Sequence, residues 1–240
     1  MTNTDEQVKL DSYFNNRDVD PTYYTSYKIP RYLKPHLPQN KSAKVLDVGC
    51  GYGQFLFALK NMGYENLKGI DINNESINEC KKKGLNVEQI TDIRDFAKQS
   101  TEKYDIITMS HVLEHIDKEK IIDTVTHIKK YLLAEGGEFI LMVPNAQSYT
   151  GTYWRYEDFT HTIMFTAGTC IYVLKAAGFN TINFIDADGT EHMSWWKKII
   201  IKSLMSCYKM REDFWNYVFQ TSFHKPSPRI YSFELKVSAK

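Results

Sequence analysis

The chain has 240 residues, of which 42% are hydrophobic and 25% charged, so it is long enough to bury a large core without disulfides or metal ions. Its net charge of +1 argues against a nucleic-acid-binding protein, because such proteins usually carry a clustered basic face. The four cysteines form no CxxC pair, and the sequence has no apolar leader and no run of about 18 apolar residues, which predicts a cytoplasmic protein without an integral membrane segment.

The first 40 residues differ in character from the rest of the chain. They are polar and aromatic, and prolines at positions 30, 35 and 38 interrupt any long helix. We expect residues 1–40 to form an aromatic arm. This arm either packs along the edge of a sheet or closes as a lid over a bound ligand.

Strand-like and helical patterns alternate through residues 41–188. Apolar runs that end at glycine or polar residues predict strands, and segments with helical spacing lie between most of them. This alternation predicts an α/β fold, with a mostly parallel sheet and helices on both faces. The six predicted strands are KVLDVG, NLKGIDIN, NVEQI, YDIITMSHV, EGGEFILMVPN and NTINFIDA.

The C-terminal part departs from this rhythm. Residues 189–226 are aromatic with helical spacing, which predicts a helical insertion. Residues 227–240 contain a seventh strand whose alternation is typical of a half-exposed strand. The insertion has too many aromatic residues for a solvated helix. We expect it to cap a pocket or to form a homodimer interface, with a membrane surface as a weaker alternative.

A glycine-rich turn follows the first predicted strand, in the stretch VLDVGCGYGQFL. The pattern is G-x-G-x-G, and Asp47 lies two residues before Gly49. The dinucleotide fingerprint would need a glycine at position 54, where this chain has Gln54. Glycines let a ligand approach the backbone, and the following helix offers free N–H groups. The turn therefore predicts a ligand site at the carboxyl ends of the strands.

With Asp71 at the end of the second strand, this turn resembles the class I S-adenosylmethionine-dependent methyltransferases over roughly residues 43–145. The resemblance implies a Rossmann-like sheet of seven strands and S-adenosylmethionine as the cofactor. It implies that Asp71 binds the ribose hydroxyls, that Asp92 lies near the adenine amino group, and that Ser110 begins the wall of the methionine end. The cofactor-binding residues expected from it are Asp47, Gly49, Cys50, Gly51, Gly53, Asp71, Ile72, Asp92, Ile93, Ser110 and His111. Glu114 and His115, in the segment LEHI, are expected to be structural.

A polar loop, RYEDFTHTIMFT, follows the fifth strand and is predicted to lie beside the cofactor. His161 is the candidate general base because imidazole titrates nearest to neutral pH. Asp158 is the candidate partner that orients it, provided that the loop makes a helical turn, and Glu157 could replace Asp158. The alternative is a simple polar turn in which His161 caps the next helix. Asp158 and His161 are too few ligands for a metal, so the sequence argues against a metal site. Arg155, Tyr156, Glu157 and Asn145 are the candidate substrate-binding residues.

The same loop also resembles a subgroup of these methyltransferases found with surface-polysaccharide and sugar-nucleotide pathways. The shared pattern is DFTH…FT…L…AGF, which begins at Asp158 and ends at Phe179. The resemblance implies O-methylation of a sugar hydroxyl, on a nucleotide-linked, capsular or lipopolysaccharide sugar. Two alternatives stay open: N-methylation of a small molecule, and a non-catalytic scaffold that binds the cofactor.

Overall fold

One sheet of seven strands organises the part of the chain that the structure describes. The structure is a computed structural model, and it describes residues 13–17, 26–225 and 227–240. The strand order across the sheet is β3-β2-β1-β4-β5-β7-β6. Strands β1 to β5 pair in parallel, and β7 runs antiparallel to both of its neighbours. The strands are β1 (Lys44–Val48), β2 (Asn66–Asp71), β3 (Val87–Gln89), β4 (Tyr104–Ser110), β5 (Leu133–Pro144), β6 (Ile182–Phe184) and β7 (Glu234–Ala239).

Helices connect these strands and cover the sheet. Two 3-10 turns lie at Arg31–His36 and Leu113–His115. A π-helical turn at Ile128–Leu132 continues the α-helix Lys118–His127. Within the described residues, the α-helices are α1 (Tyr13–Asn16), α2 (Gln54–Asn61), α3 (Asn74–Lys82), α4 (Ile93–Gln99), α5 (Lys118–His127), α6 (Gly151–Glu157), α7 (Ala167–Ala176) and α8 (Trp195–Val218).

The core lies on both faces of the sheet. Because successive strand residues point to opposite faces, Leu46 and Val48 of β1 join the larger apolar cluster, with α4, α5 and α7. Val45, which precedes Leu46 and points to the opposite face, joins a second cluster with α2 and the turn at Arg31–His36. Strand β1 is therefore covered on both sides, as a central parallel strand requires. The expected fold class, a seven-stranded, mostly parallel Rossmann-like sheet with helices on both faces, is confirmed.

Two short helices that follow β3 and β5 were not predicted. Helix α4 begins directly after Asp92, whose side chain accepts a hydrogen bond from the backbone N–H of Arg94. Helix α6 lies in the polar loop after β5, before Asp158. Each is only seven residues long, which is too short for a clear hydrophobic period.

The prediction that the last strand is half exposed is wrong. All six residues of β7 are buried, because Leu235, Val237 and Ala239 join the larger core cluster and protein groups such as the ring of Tyr32 cover the other face. Its alternating polar residues are paired inside the protein. Lys236 Nζ lies 2.9 Å from Asp186 Oδ2 and 3.3 Å from Glu234 Oε1. The alternation in the sequence thus reflects buried ion pairs and not solvent on one face.

The helical insertion before β7 is present as a single long helix, α8. Its 24 residues include none that is buried. Two contacts with Tyr231 connect the helix to the segment before β7. The Tyr231 hydroxyl donates a hydrogen bond of 2.5 Å to Glu212, and the Tyr231 ring contacts the ring of Tyr208. No helix in the described ranges is long and apolar enough to cross a membrane. Residues 1–12 and 18–25 of the predicted arm, and Pro226 of the insertion, lie outside the described residues, and the predicted domain boundaries stay a prediction.

Candidate active site

The glycine turn between β1 and α2 lies at the carboxyl edge of the sheet. Gly49 has a φ of +72°, and a Cβ atom there would lie 2.1 Å from Val112 Cγ2, so only glycine fits. Gly51 has a φ of +50°, and a Cβ atom would meet only the ring of Phe14, at 3.7 Å. On its Cβ side, Gly51 therefore faces the ring of Phe14 in α1, and no other group of the described residues comes within 4 Å of the Cβ position.

Asp71 at the end of β2 holds this turn in place. Its Oδ2 accepts a hydrogen bond from the backbone N–H of Gly51 at 2.8 Å, and its Oδ1 accepts one from Asn73, also at 2.8 Å. Burial raises the pKa of Asp71, and these backbone hydrogen bonds oppose that rise. A carboxylate has about four acceptor positions, and the backbone N–H groups of Gly51, Asn73 and Ile72 use part of them. The remaining acceptor capacity of Asp71 fits a ribose hydroxyl group.

Asp47, next to the carboxyl end of β1, is the second buried carboxyl group of the cofactor edge. It is 5% exposed and accepts a hydrogen bond of 2.6 Å from the hydroxyl of Thr108. Burial raises its pKa to about 7, against the effect of the Thr108 hydrogen bond, and the nearby Asp71 raises it further. A cationic group bound here would stabilise the ionised form.

The other residues expected at the cofactor differ in how they can take part. The side chain of Cys50 is buried in a cluster with Leu56 and Ile77, so only its backbone can face a ligand. Gly53 has a φ of +75° and starts α2. Ile72 and Ile93 are partly buried against the larger core cluster. Ser110 is the last residue of β4.

Asp92 and His111 each have strong protein partners. Asp92 forms an ion pair with Arg94, with Oδ2 2.5 Å from Nη2, and this arginine holds its pKa below the usual range. The His111 ring lies between Glu114 and Glu234, at 3.2 and 3.1 Å. Burial alone would lower the pKa of His111, but the two carboxylates raise it above its usual value. His111 therefore carries a positive charge near neutral pH.

The polar loop after β5 places His161 inside the protein. His161 is 7% exposed, and its Nδ1 lies 2.8 Å from the backbone carbonyl of Trp154 in α6. Asp158 Oδ2 lies 3.8 Å from His161 Nε2, which is beyond hydrogen-bond distance. The imidazole is thus oriented by a carbonyl and not by Asp158. Thr166 caps the next helix through its own side chain, so His161 is not the cap.

Two of the predicted substrate-binding residues have structural partners. Asn145 is fully buried, and its amide donates to the carbonyls of Ile230 and Ser232 at 2.7 and 2.8 Å. Its amide is therefore used inside the protein, and its contact with substrate stays a prediction. Arg155 donates to the carbonyls of His161 and Thr162, so it fastens the loop. Tyr156 and Glu157, at the end of α6, are exposed and available.

Two residues expected to be structural lie beside His161. Glu114 is fully buried, and its Oε1 is 3.9 Å from His161 Nε2. The rings of His115 and His161 are 4.8 Å apart between centroids. The sequence contained a signal for the proximity of Glu114 and His161. Glu114 follows β4, His161 follows β5, and neighbouring parallel strands end at the same edge of a sheet.

Helix α1 covers this site from the N-terminal side. Tyr13 donates a hydrogen bond of 2.7 Å to Asp158 Oδ2, and Arg17 forms an ion pair with the same oxygen at 2.5 Å. The Phe14 ring lies 4.6 Å from the ring of Tyr52 in the glycine turn. Burial and the hydrogen bond to Asp158 both raise the pKa of Tyr13 well above its usual range. The tyrosine therefore stays a hydrogen-bond donor.

Comparison with known proteins agrees with this arrangement. A methyltransferase domain family matches residues 22–183. The chain is 30% identical over 146 residues to a tRNA U34 carboxymethyltransferase of Hydrogenovibrio crunogenus, covering 54% of this chain and 41% of that protein. It is 36% identical over 107 residues to a ubiquinone biosynthesis O-methyltransferase of Glaesserella parasuis, covering 40% and 44%. The chain thus spans less than half the length of these two relatives.

A solved structure shares the whole fold. The S-adenosylmethionine-dependent methyltransferase from Archaeoglobus fulgidus aligns with a TM-score of 0.60 and 20% identity, over 98% of this chain and 94% of that one. The expected cofactor, S-adenosylmethionine, is confirmed at the level of the family, and the glycine turn with Asp71 fits it. From the family match and the shared fold together, the chain belongs to the class I S-adenosylmethionine-dependent methyltransferases.

Proposed function

We propose that this protein transfers a methyl group from S-adenosylmethionine to a hydroxyl group of a small polar acceptor, and that the acceptor is a sugar. One observation carries the choice of a hydroxyl: the imidazole of His161 is held in a single orientation at the carboxyl edge of β4 and β5. Its Nδ1 is occupied by the Trp154 carbonyl at 2.8 Å. Because a carbonyl only accepts, Nδ1 carries the proton and Nε2 has the free lone pair.

The chemistry that follows is an in-line displacement. The acceptor oxygen forms a bond to the methyl carbon as the sulfur–carbon bond breaks, and the electron pair stays on sulfur to give S-adenosylhomocysteine. The hydroxyl proton passes to Nε2 of His161, which acts as the general base. A positioned base of this kind contributes typically about 10²–10⁴-fold to the rate. The main remaining task of the site is alignment and exclusion of water.

Support for a sugar acceptor comes from the sequence pattern from Asp158 to Phe179 and from the exposed polar residues of α6. Tyr156 and Glu157 stand next to the His161 loop, where hydroxyl groups of a sugar could bind them. The ubiquinone relative is named as an O-methyltransferase, which agrees with transfer to oxygen. The tRNA relative favours an RNA acceptor, but the net charge of +1 gives little attraction for a polyanion.

We also propose that α8 mediates a homodimer. Exposed apolar residues of this helix are spaced by four or ten residues, and at 3.6 residues per turn both spacings return to the same face, so they form one apolar row. Phe214 is 58% exposed and Met210 is 68% exposed. Members of this row are Trp196, Ile200, Met210, Phe214 and Val218.

The function is tested by supplying the purified protein with S-adenosylmethionine and one acceptor at a time. The panel contains sugar nucleotides, small amines, quinols and unmodified tRNA, and mass spectrometry follows S-adenosylhomocysteine. We expect turnover on a sugar nucleotide. His161→Asn keeps a donor for the Trp154 carbonyl and removes the Nε2 lone pair, so it should lower kcat by about 10²–10⁴-fold.

The matched control is His192→Asn, at an exposed histidine in the loop before α8, which should leave kcat unchanged. Turnover on an amine that tolerates His161→Asn would establish N-methylation instead. Tight cofactor binding without turnover on any acceptor would favour the non-catalytic scaffold.

A further inference from the structure

Three side chains meet at the carboxyl edge of the sheet in a way that the methyl-transfer proposal does not use. We propose that Glu114, His115 and His161 form a binding site for a divalent transition-metal ion. Each residue offers one ligand atom, and these atoms all lie within 4.8 Å of one another. Glu114 and His115 come from the turn after β4, and His161 from the loop after β5. The parallel pairing of β4 and β5 brings them together.

Each of the two imidazoles keeps one nitrogen with a lone pair. His161 donates its Nδ1 proton to the Trp154 carbonyl, so Nε2 is the acceptor atom. His115 Nδ1 lies 2.8 Å from Thr160 Oγ1. The Thr160 hydroxyl gives its single hydrogen to Asp158 Oδ1 at 2.6 Å, and it must therefore accept from His115 Nδ1. Nε2 of His115 is then the second acceptor atom.

These outer contacts are of the kind that orient metal-binding histidines. A ligating histidine almost always donates its other ring N–H to a carbonyl, a carboxylate or water, which fixes the tautomer. His161 has the Trp154 carbonyl in this role. His115 has the hydroxyl of Thr160, which is itself held by Asp158. Two neighbouring histidines are thus fixed in the same tautomer by two different parts of the loop after β5.

Glu114 supplies the independent evidence for a cation. Its side chain is fully buried, and Oε1 accepts from His111 at 3.2 Å. Its other oxygen, Oε2, has no hydrogen-bond partner in the described part of the chain. A buried acceptor left without a partner costs free energy, more so when it is charged. Oε1 lies 3.9 Å from His161 Nε2, which holds a lone pair, so that side offers the carboxylate no proton donor, and a cation bound by Glu114 and the two imidazoles would satisfy the carboxylate and both nitrogens.

The donor set selects the kind of ion. Two nitrogens and one carboxylate suit zinc, cobalt, iron or manganese, whereas magnesium and calcium prefer oxygen ligands throughout. Three protein ligands leave a coordination position open, as in catalytic zinc sites. Bonds of about 2.0–2.2 Å from each ligand atom to one ion require the ligand atoms of Glu114, His115 and His161 to move roughly 1 Å closer to one another. The sequence argued against a metal because it offered only Asp158 and His161; the fold adds Glu114 and His115.

The inference has one consequence for catalysis, which rests on the proposed function. An ion bound to Nε2 of His161 uses the lone pair that would otherwise take the acceptor's proton. Metal binding and general-base catalysis by His161 are therefore alternatives in any one molecule. Metal binding itself is independent of the acceptor and can be measured without it.

The test is titration of chelator-stripped full-length protein with Co²⁺, Zn²⁺ and Mg²⁺, by calorimetry and by the visible absorption of Co²⁺. We expect one Co²⁺ per chain, displaced by Zn²⁺, with Mg²⁺ much weaker. Glu114→Gln and His161→Asn should each weaken binding by more than about 100-fold, since loss of an outer partner alone typically costs about 10–100-fold. Thr160→Val should fall in that outer-partner range, and Thr160→Ser should restore affinity.

His192→Asn is the matched control and should bind like the wild type. Binding of S-adenosylhomocysteine by each variant verifies that the variant is folded, since no proposed ligand belongs to the glycine turn. Absence of Co²⁺ and Zn²⁺ binding by the wild type would overturn the proposal. So would binding that neither ligand variant changes, or Mg²⁺ binding more tightly than Zn²⁺.

Discussion

The phenol of Tyr13 donates a hydrogen bond of 2.7 Å to the carboxylate of Asp158, a residue 145 positions away in the sequence. Arg17 pairs with the same carboxylate oxygen. Burial alone would raise the pKa of Asp158, but its hydrogen bonds from Thr160 and Tyr13 hold it below the usual value. The ionised carboxylate therefore links α1 to the loop that carries His161. The hydrogen bond and the ion pair thereby fasten α1, which belongs to the predicted aromatic arm, to this loop.

Tyr13→Phe tests that fastening. A hydrogen bond to a charged group is worth about 1.5–3 kcal/mol, and 1.4 kcal/mol corresponds to tenfold in an equilibrium constant. If α1 closes over the cofactor, S-adenosylhomocysteine should dissociate about tenfold faster from the variant, measured by stopped-flow fluorescence. Tyr104→Phe is the control, because Tyr104 bonds Glu102 at 3.4 Å at the start of β4. Equal dissociation rates would mean that α1 is only a packing arm.

The cofactor half of the site was predictable from the sequence because it is local. The glycine turn and Asp71 depend on backbone conformation and on two successive strand ends, and both leave marks at short range. The role of Glu114 was not predictable in the same way. Its proximity to His161 follows from two predicted strand ends, but its importance depends on a buried oxygen that lacks a hydrogen-bond partner in the described part of the chain, which the segment LEHI does not reveal.

The same distinction applies to two polar residues whose partners the sequence does not reveal. Asn145 is polar and follows a strand, which is typical of a substrate-binding residue, yet its amide is used by the carbonyls of Ile230 and Ser232. Lys236 alternates with apolar residues as on a solvated face, yet it pairs with Asp186 inside the protein. Polarity in a sequence predicts that a group needs a partner, but only the fold shows whether that partner is water, protein or ligand.

Asp71→Asn should weaken cofactor binding by about 100-fold or more. The carboxylate accepts hydrogen bonds from backbone N–H groups of the turn and is proposed to accept from the ribose. An amide NH₂ in place of one oxygen would face a donor and lose acceptor positions, and each lost bond to a charged group costs about 1.5–3 kcal/mol. Calorimetry with S-adenosylhomocysteine measures the effect. Asp105→Asn, at an exposed carboxylate bonded to the Lys44 N–H, is the control; a loss under threefold in Asp71→Asn would refute the assignment.

Asp47 predicts a pH dependence of cofactor affinity. Its pKa is raised from 3.8 to about 7, so the free folded protein holds a proton there below neutral pH. The ammonium group of S-adenosylmethionine favours the ionised carboxylate, so binding near this residue releases the proton. Affinity should therefore rise with pH by up to about tenfold per unit below pH 7 and level off above it.

Calorimetry in two buffers of different ionisation enthalpy would detect the released proton. Asp47→Asn should bind more weakly and lose this part of the pH dependence. The same shift has an effect on stability. Because the raised folded pKa favours the protonated form, the free energy of unfolding should fall as pH rises from about 4 to about 7. An affinity that is flat from pH 5 to 8 in the wild type would contradict the role of Asp47.

Arg155→Met separates a positioning role from a substrate-binding role. Arg155 donates to the carbonyls of His161 and Thr162, so its loss should loosen the loop that carries the imidazole. A misplacement of about 1 Å can cost about 10²-fold in rate. We expect kcat to fall by about 10–100-fold while KM for the acceptor stays within about twofold. Arg31→Met, at an exposed arginine, is the control. A raised KM with unchanged kcat would return Arg155 to the substrate-binding residues.

The outward row on α8 predicts the oligomeric state. A helix of 24 residues with no buried side chain exposes more apolar surface than isolated hydrophobic residues usually do. Light scattering after size exclusion should therefore find a dimer of the wild type at micromolar concentrations. Phe214→Glu places a charge in the middle of the row and should shift the protein to monomer. Lys209→Glu changes charge on the same helix outside the row and should stay dimeric, because a charge there does not interrupt the apolar contact. A wild type that is monomeric at about 100 µM would mean that α8 serves another purpose, and an unchanged cofactor affinity in Phe214→Glu would show that the variant is folded.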